Sequence, residues 1–219
     1  AFSKALETER KAGRLSATFA ERLRSAVTFT SAWAGFETVE LVVEAIDEDV
    51  ELKQSLFATL ETKVRPRTLL ATTSATVSLD LLQNSAQRPG RILGWHFPLA
   101  CRTSKLVEIV ANSVTDSTAL ASLQQWSKEW GWTPLLVADQ PARLIDSVLL
   151  AYLDEGVALV AEGLSPSEVD RACRRFGFAH GPLEWCDVLG FERLANLTRA
   201  VQAKREDNFA RRLLFERLL

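Results

Sequence analysis

Short apolar runs and amphipathic stretches alternate along the first two thirds of the chain, and the rhythm changes near residue 140. Residues 1–26 predict two helices interrupted near Gly13, the second starting at Leu15-Ser16 with Phe19, Leu23 and Ala26 at helical spacing. Residues 27–29 (VTF) are β-like, and residues 33–36 (WAGF) form an apolar plug bounded by turns. Residues 39–46 are apolar on both faces apart from Glu40 and Glu44, which suits a parallel strand covered by helices on both sides. A helix over 50–64 follows, with Leu52, Leu56, Phe57 and Leu60 on one face. Asp47, Glu48 and Asp49 stand at its N-terminus, where acidic groups complement the helix dipole. Residues 69–72 (LLAT) form a short buried strand, 79–85 a short helix, and a turn at Pro89-Gly90 precedes a strand through Ile92 and Leu93 into His96. The run 105–110 (KLVEIV) is another strand. Thr115 then caps a helix through Trp130, and 133–137 (TPLLV) is the last strand. This alternation predicts an α/β fold with a mostly parallel sheet and helices on both faces.

At Asp139-Gln140-Pro141 the pattern becomes purely helical. Ile145, Val148, Leu149, Tyr152, Leu153, Val157 and Val160 repeat at helical spacing. Leu144, Leu150 and Leu159 add apolar character off that stripe, so the helix is expected to be buried on several sides, inside a helical domain or at a dimer interface. Gly163 stops it. Ser165-Pro166-Ser167-Glu168 is a capping box with proline at the first helical position. A third helix follows Gly181-Pro182 and bends at Gly190 on its way to about Ala203. Residues 209–219 form a final amphipathic helix. The division is therefore 1–139, α/β, and 140–219, all-α.

Composition narrows the function classes. In 219 residues, charged side chains make up 25% and the net charge is −2, which gives no argument for nucleic acid or an anionic membrane. No apolar run reaches the roughly 20 residues of a membrane span. Three cysteines without a C-x-x-C pair suit reduced thiols inside a cell, here taken as cytoplasmic. Cys101 reads as a filler residue rather than a reactive thiol, and no metal-ligand spacing stands out. The sequence has no methionine, so the chain is expected to begin inside a longer polypeptide or after processing, and its apolar last residues suggest a truncated end. No two of its ten glycines stand two apart, so a G-x-G-x-x-G phosphate loop is absent.

The candidate chemistry centres on residues 94–110, GWHFPLACRTSKLVEIV. A carboxylate inside an apolar strand is costly unless a charged or hydrogen-bonding group meets it. For Glu108 the candidate is His96, because neighbouring strands joined by a short loop bring the two together. A carboxylate behind an imidazole fixes its tautomer and stabilises the imidazolium, as a general base requires. The alternative is a core histidine and an unrelated edge-strand glutamate.

The order histidine, phenylalanine, loop, K-L-V-E-I resembles the catalytic segment of the 3-hydroxyacyl-CoA dehydrogenases, above all in the multifunctional fatty-acid oxidation proteins. Leu41-Val42-Val43-Glu44-Ala45 with Glu48, the Leu70-Ala71-Thr72 opening of a catalytic loop, and residues 177–184 (GFAHGPLE) are similar as well. The resemblance implies a partial Rossmann-like domain over 1–139, of NAD-binding type but lacking its phosphate loop. A helical domain over 140–219 for dimerisation and substrate would follow. It implies NAD as cofactor and an acyl-CoA as substrate. His96 would be the base, Glu108 its partner, and Glu48 and Lys53 would approach the cofactor ribose. A homodimer or a partner domain of the same polypeptide would complete the assembly. Lys4, Arg10, Lys11 and Arg14 form a basic edge that could meet CoA phosphates.

The departures from that family matter equally. Ala75 stands at the catalytic serine position, with Ser74 and Thr76 beside it as the remaining substrate-binding hydroxyls. Leu99 replaces an asparagine, and Asp146 occupies the place of another on the substrate side. Losing one positioned donor typically costs on the order of a hundredfold in rate. Two readings follow: a 3-hydroxyacyl-CoA dehydrogenase module of β-oxidation with weakened or lost activity, or a non-catalytic structural or acyl-CoA-binding module of a larger protein.

Overall fold

The structure, a computed structural model, describes residues 2–98, 104–140 and 142–202, without the side chains of Phe191, Arg193 and Gln202. The described residues fall into two compact units, divided between Phe36 and Glu37. In the first, helices α1 (Phe2–Lys11) and α2 (Ala17–Ser25) are separated by a turn at Gly13. Ser16 caps α2 by accepting the Phe19 N–H at 3.2 Å. Residues 27–29 form no strand: this unit offers them no second strand to pair with, and Phe29 is 75% exposed against the edge of Phe2. The 33–36 stretch is a turn in which Trp33 and Phe36 meet edge to face, but it is largely exposed rather than a buried plug.

The second unit is built on a five-stranded sheet in sequence order, β1 (Leu41–Glu44), β2 (Leu69–Thr72), β3 (Ile92–His96), β4 (Leu106–Ala111) and β5 (Thr133–Ala138). All neighbours are parallel except β3 and β4, which run antiparallel. That exception follows from the length of the connection: between His96, where β3 ends, and Leu106, where β4 starts, there are too few residues for a crossover, which leaves only the antiparallel return. Between strands lie α3 (Val50–Lys63), α4 (Leu79–Asn84) and α5 (Ser117–Glu129). Leu69, Ala71, Leu93, Trp95, Val107 and Ile109 form one sheet face, packed on Ala119 and Leu123 of α5. The period-2 alternation sends Leu70, Ile92, His96, Glu108 and Val110 to the other face. Val43 on the edge strand β1 is 41% exposed, so that strand is not covered on both sides as its apolarity suggested. The cap of α5 is Asp116, which accepts the Thr118 N–H at 2.7 Å, rather than Thr115, which bonds Asn112.

Helices α6 (Leu144–Ala161), α7 (Pro166–Phe176), α8 (Pro182–Leu189) and α9 (Phe191–Gln202) complete the unit. The Ser165–Glu168 capping box is formed, and Gly190, at φ 77°, breaks α8 from α9. Leu150, Leu153 and Val157 of α6 join Cys186, Leu194, Leu197 and Val201 in the helical core. Within the chain α6 is buried on one side only, since Val148 is 65% exposed and Leu144 and Leu159 also face outward. The expected final helix at 209–219 and the positions Leu99 and Cys101 lie outside the described residues.

Candidate active site

The antiparallel register makes His96 and Glu108 Cα partners on one face of the sheet. His96 Nδ1 lies 2.7 Å from Glu108 Oε2, and both residues are buried. The other oxygen, Oε1, accepts the backbone N–H groups of Leu144 and Ile145, each at 2.9 Å. These amides open α6, so the carboxylate also sits at the positive end of a helix dipole. With its acceptor sites used this way, Glu108 orients the imidazole with a proton on Nδ1 and leaves Nε2 as the ring nitrogen away from that contact. From the next position on α6, Asp146 brings Oδ2 to 3.4 Å from that Nε2.

In front of His96 lies a cavity of about 660 Å³. Its sheet-side wall is Glu48, Thr73, Ala75, Thr76 and Phe97, and its helical wall is Leu189, Gly190, Glu192, Asn196 and Leu197. Glu48 is the polar anchor of the sheet side. Its Oε1 accepts from Ser74 Oγ at 2.5 Å, Thr76 Oγ1 at 2.6 Å and Thr76 N at 3.0 Å. Burial alone would raise the Glu48 carboxyl, but the Ser74 and Thr76 hydroxyls, the Thr76 N–H and the Lys53 charge lower it from the usual 4.5 to about 2. The carboxylate is therefore ionised, and its side chain remains 40% exposed toward the cavity.

The hydroxyls of Ser74 and Thr76 are thus committed to Glu48. Thr76 lines the cavity; Ser74, 3% exposed, is not among the residues that line it. Between them Ala75 lines the cavity and packs against the helical core. Lys53 is also turned inward. Its ammonium, 1% exposed, meets Glu44 Oε1 at 2.6 Å, the Ile46 carbonyl at 3.1 Å and Glu48 Oε2 at 3.4 Å. It holds the two glutamates rather than reaching outward.

Arg143 escaped the sequence reading. It is fully buried, at φ 39°, directly before α6. Its guanidinium donates to Asp139 Oδ1 at 2.6 Å and to the carbonyls of Gln140, Ser74 and Val77 at 3.0, 3.2 and 2.8 Å. It thereby ties the start of α6 to the loop that carries Ala75. A cation at the N-terminus of a helix, the unfavourable end, was the signal. Asn196 and Glu192 were missed because nothing in a helical stripe marks which polar residues will face a cavity.

Residues 1–140 match the family model described as the NAD binding domain of 3-hydroxyacyl-CoA dehydrogenase, and residues 144–219 match its C-terminal domain. The chain belongs to the 3-hydroxyacyl-CoA dehydrogenase family. It is 32% identical over 191 residues to the fatty acid oxidation complex subunit alpha of Ectopseudomonas oleovorans, which covers 87% of this chain and 27% of that protein. The chain thus spans about a quarter of the length of the curated relatives it matches. Among solved structures it is similar to 3-hydroxybutyryl-CoA dehydrogenase from Escherichia coli K12, at 29% identity and TM-score 0.83 over 91% of this chain and 43% of that one. It is also similar to FadB2 of M. tuberculosis, at 26% identity and TM-score 0.90, over 94% and 74% of the two chains.

The dinucleotide implied by the family fits this chain at one end. The ionised Glu48, held at the cavity beside His96, has its second oxygen, Oε2, as an acceptor suited to a ribose hydroxyl. The buried Lys53 makes no such offer, and no two glycines of the given sequence stand two apart. In the first unit Arg10 and Arg14 are paired with Glu7 and Glu9 of α1, which leaves the expected basic edge partly neutralised. Among the described residues no cluster of His, Cys, Asp and Glu is placed to hold a metal ion, and no helix is long and apolar enough to cross a membrane. Cys173 and Cys186 are free thiols, and burial pushes the Cys186 thiol up to about 11.

Proposed function

We propose that this chain is the dehydrogenase module of a longer cytoplasmic fatty-acid oxidation protein. It would act on the 3-hydroxyl or 3-oxo group of an acyl-CoA, with a nicotinamide dinucleotide exchanging hydride when bound. One observation carries the reading: a buried His96–Glu108 pair, 2.7 Å apart, faces a 660 Å³ cavity with an ionised Glu48 on its rim. His96 Nε2 would exchange a proton with the substrate oxygen, Glu108 would orient the ring, and Glu48 would receive the ribose. Ser74 and Thr76 would serve by fixing Glu48 rather than by touching substrate, and Lys53 by neutralising it.

The second reading, a non-catalytic acyl-CoA-binding or structural module, is favoured by Ala75. A methyl group packed on the helical core stands where a donor to the substrate oxygen would be wanted. We therefore expect low turnover. In either reading the outward Leu144, Val148 and Leu159 of α6 suit a second copy or another domain of the longer protein.

The test is NADH formation from 3-hydroxybutyryl-CoA and a long-chain homologue, using the full-length natural protein and its His96→Ala variant. Slow turnover that disappears in His96→Ala supports the dehydrogenase. Turnover indistinguishable from background in both, together with saturable acyl-CoA binding, supports the second reading.

A further inference from the structure

His96 stands between two buried carboxylates. Glu108 lies at Nδ1, 2.7 Å away, and Asp146 lies at Nε2, 3.4 Å away. Both carboxylates are at most 2% exposed, so water screens neither contact. Counting protons shows what that arrangement requires. The Nδ1 proton belongs to the contact with Glu108, whose other oxygen is already taken by the Leu144 and Ile145 amides. A carboxylate 3.4 Å from Nε2 attracts the positive charge of an imidazolium, and more strongly in a buried site than in water. A second ring proton, on Nε2, supplies that charge. It also keeps the trio of Glu108, His96 and Asp146 at a net charge of −1, the same as a neutral imidazole beside Glu108 alone.

The remaining charges around His96 reinforce this. Glu48 and Glu192 line the same cavity, whose described lining includes no lysine or arginine. Lys53 is turned away onto Glu44, and Arg143, at the head of α6, is committed to Asp139 and backbone carbonyls.

We propose that Asp146 is a positioning residue that keeps a proton on Nε2 of His96, so that at neutral pH the site meets a substrate oxygen as a proton donor. The identity of the substrate rests on the dehydrogenase reading; the position of the proton does not. In the donating direction the Nε2–H bond breaks, an O–H bond forms on the former carbonyl oxygen, and the pair recovers its proton from solvent. The hydride that completes the reduction comes from a reduced nicotinamide, which is oxidised. In the opposite direction a hydroxyl cannot hand over its proton until the Nε2 proton has left. The ratio of the two directions at any pH is fixed by the overall equilibrium. Asp146 therefore sets the pH at which each direction reaches full rate: reduction on its plateau at neutral pH, oxidation only under alkaline conditions.

The chain has two histidines, so ¹⁵N spectra of histidine-labelled protein resolve His96 with the exposed His180 as internal reference. At neutral pH both ring nitrogens of His96 should carry protons. In Asp146→Asn the Nε2 proton should leave at a pH about one to three units lower, the usual effect of an opposite charge this close. Asp146→Glu should retain it. A bare Nε2 in the parent chain at neutral pH overturns the proposal, and this measurement stands even if Asp146→Asn does not fold. In the full-length protein, the rising limb of kcat/KM for oxidation against pH should move to acid by about one unit or more in Asp146→Asn. A doubly protonated His96 without any turnover would sink the dehydrogenase reading and leave the proton assignment intact. An unmoved limb in a working enzyme would sink the assignment.

Discussion

His96 and Glu108 are cross-strand partners whose side chains meet at 2.7 Å, and the same glutamate caps the helix that brings in Asp146. One carboxylate therefore sets both the orientation of the imidazole and the position of α6. Because it has two oxygens and uses both, its removal should not be a purely local event.

Glu108→Gln separates the two duties. The amide keeps one acceptor oxygen, which can serve the α6 amides or His96 but not both. If it stays with the amides, an NH₂ group is turned toward Nδ1 and the tautomer is reversed. Turnover of the full-length protein should fall about a hundredfold or more. Stability should fall by about 1–3 kcal/mol, the cost of a buried group left unpaired. Steady-state kinetics and urea unfolding of the same preparation check both. Full activity would show that Glu108 does not orient the imidazole.

Arg143 joins the start of α6 to the loop carrying Ala75. Arg143→Ala removes the guanidinium donor from Asp139 Oδ1 and from the carbonyls of Ser74 and Val77 in the interior. A loss of about 3–5 kcal/mol is expected, the usual consequence of breaking a buried pair from one side. Burial would raise the Asp139 carboxyl, but Ser78, the Leu79 N–H and Arg143 hold it low; without Arg143 it should titrate higher. Arg143→Lys should restore little, because a single ammonium cannot span Asp139 and two carbonyls at once. Urea midpoints of the two variants near that of the parent would contradict the clamp.

How far the sequence reached is clear at this site. The pairing of His96 with Glu108 was legible because a buried carboxylate in a strand demands a partner and strand register supplies one. The capping box at Ser165 was legible for a similarly local reason. The roles of Lys53, Ser74 and Thr76 were not, since their spacing marks them as polar without saying that they would satisfy Glu44 and Glu48 rather than a ligand. The approach of Asp146 to Nε2 depends on how α6 docks on the sheet, a tertiary fact that no local pattern encodes. Residues 27–29 show the reverse error: β propensity without a partner strand makes no strand.

Gly156 lies where α6 meets α8, and a Cβ built on it would fall 2.5 Å from the Cβ and Cγ of Pro182. Two effects compete in Gly156→Ala. Helix propensity favours alanine by about 1 kcal/mol. Overpacking against a rigid proline ring costs about 1–3 kcal/mol, because the ring cannot swing aside as a flexible side chain would. Packing should win, giving a net loss of stability by urea unfolding. Gly156→Ala with Pro182→Ala should recover part of it, and a stabilised single variant would mean that α8 shifts freely.

Glu48 gives the fold an acid-sensitive element whose sign can be worked out. Its carboxyl is at about 2 in the folded chain against 4.5 ordinarily. A depressed folded value means that the ionised group stabilises the fold above pH 4.5, and that this contribution is lost as pH falls from 4.5 toward 2. Exposure of the side chain to the cavity screens part of the effect, so the slope should be shallower than full burial would give. Asp139 is depressed as well and acts in the same direction, so the comparison must be made against a variant lacking only Glu48. Urea midpoints between pH 2 and 6 should show the parent losing stability relative to Glu48→Gln across that window. Thr76→Val removes the 2.6 Å hydroxyl donor while keeping the Thr76 N–H. It should lower stability at neutral pH and raise the pH at which the remaining Glu48 contribution is lost, with the difference from the parent vanishing near pH 2. Parallel curves for the parent and Glu48→Gln throughout that range would show that the hydroxyl cluster does not hold the carboxylate.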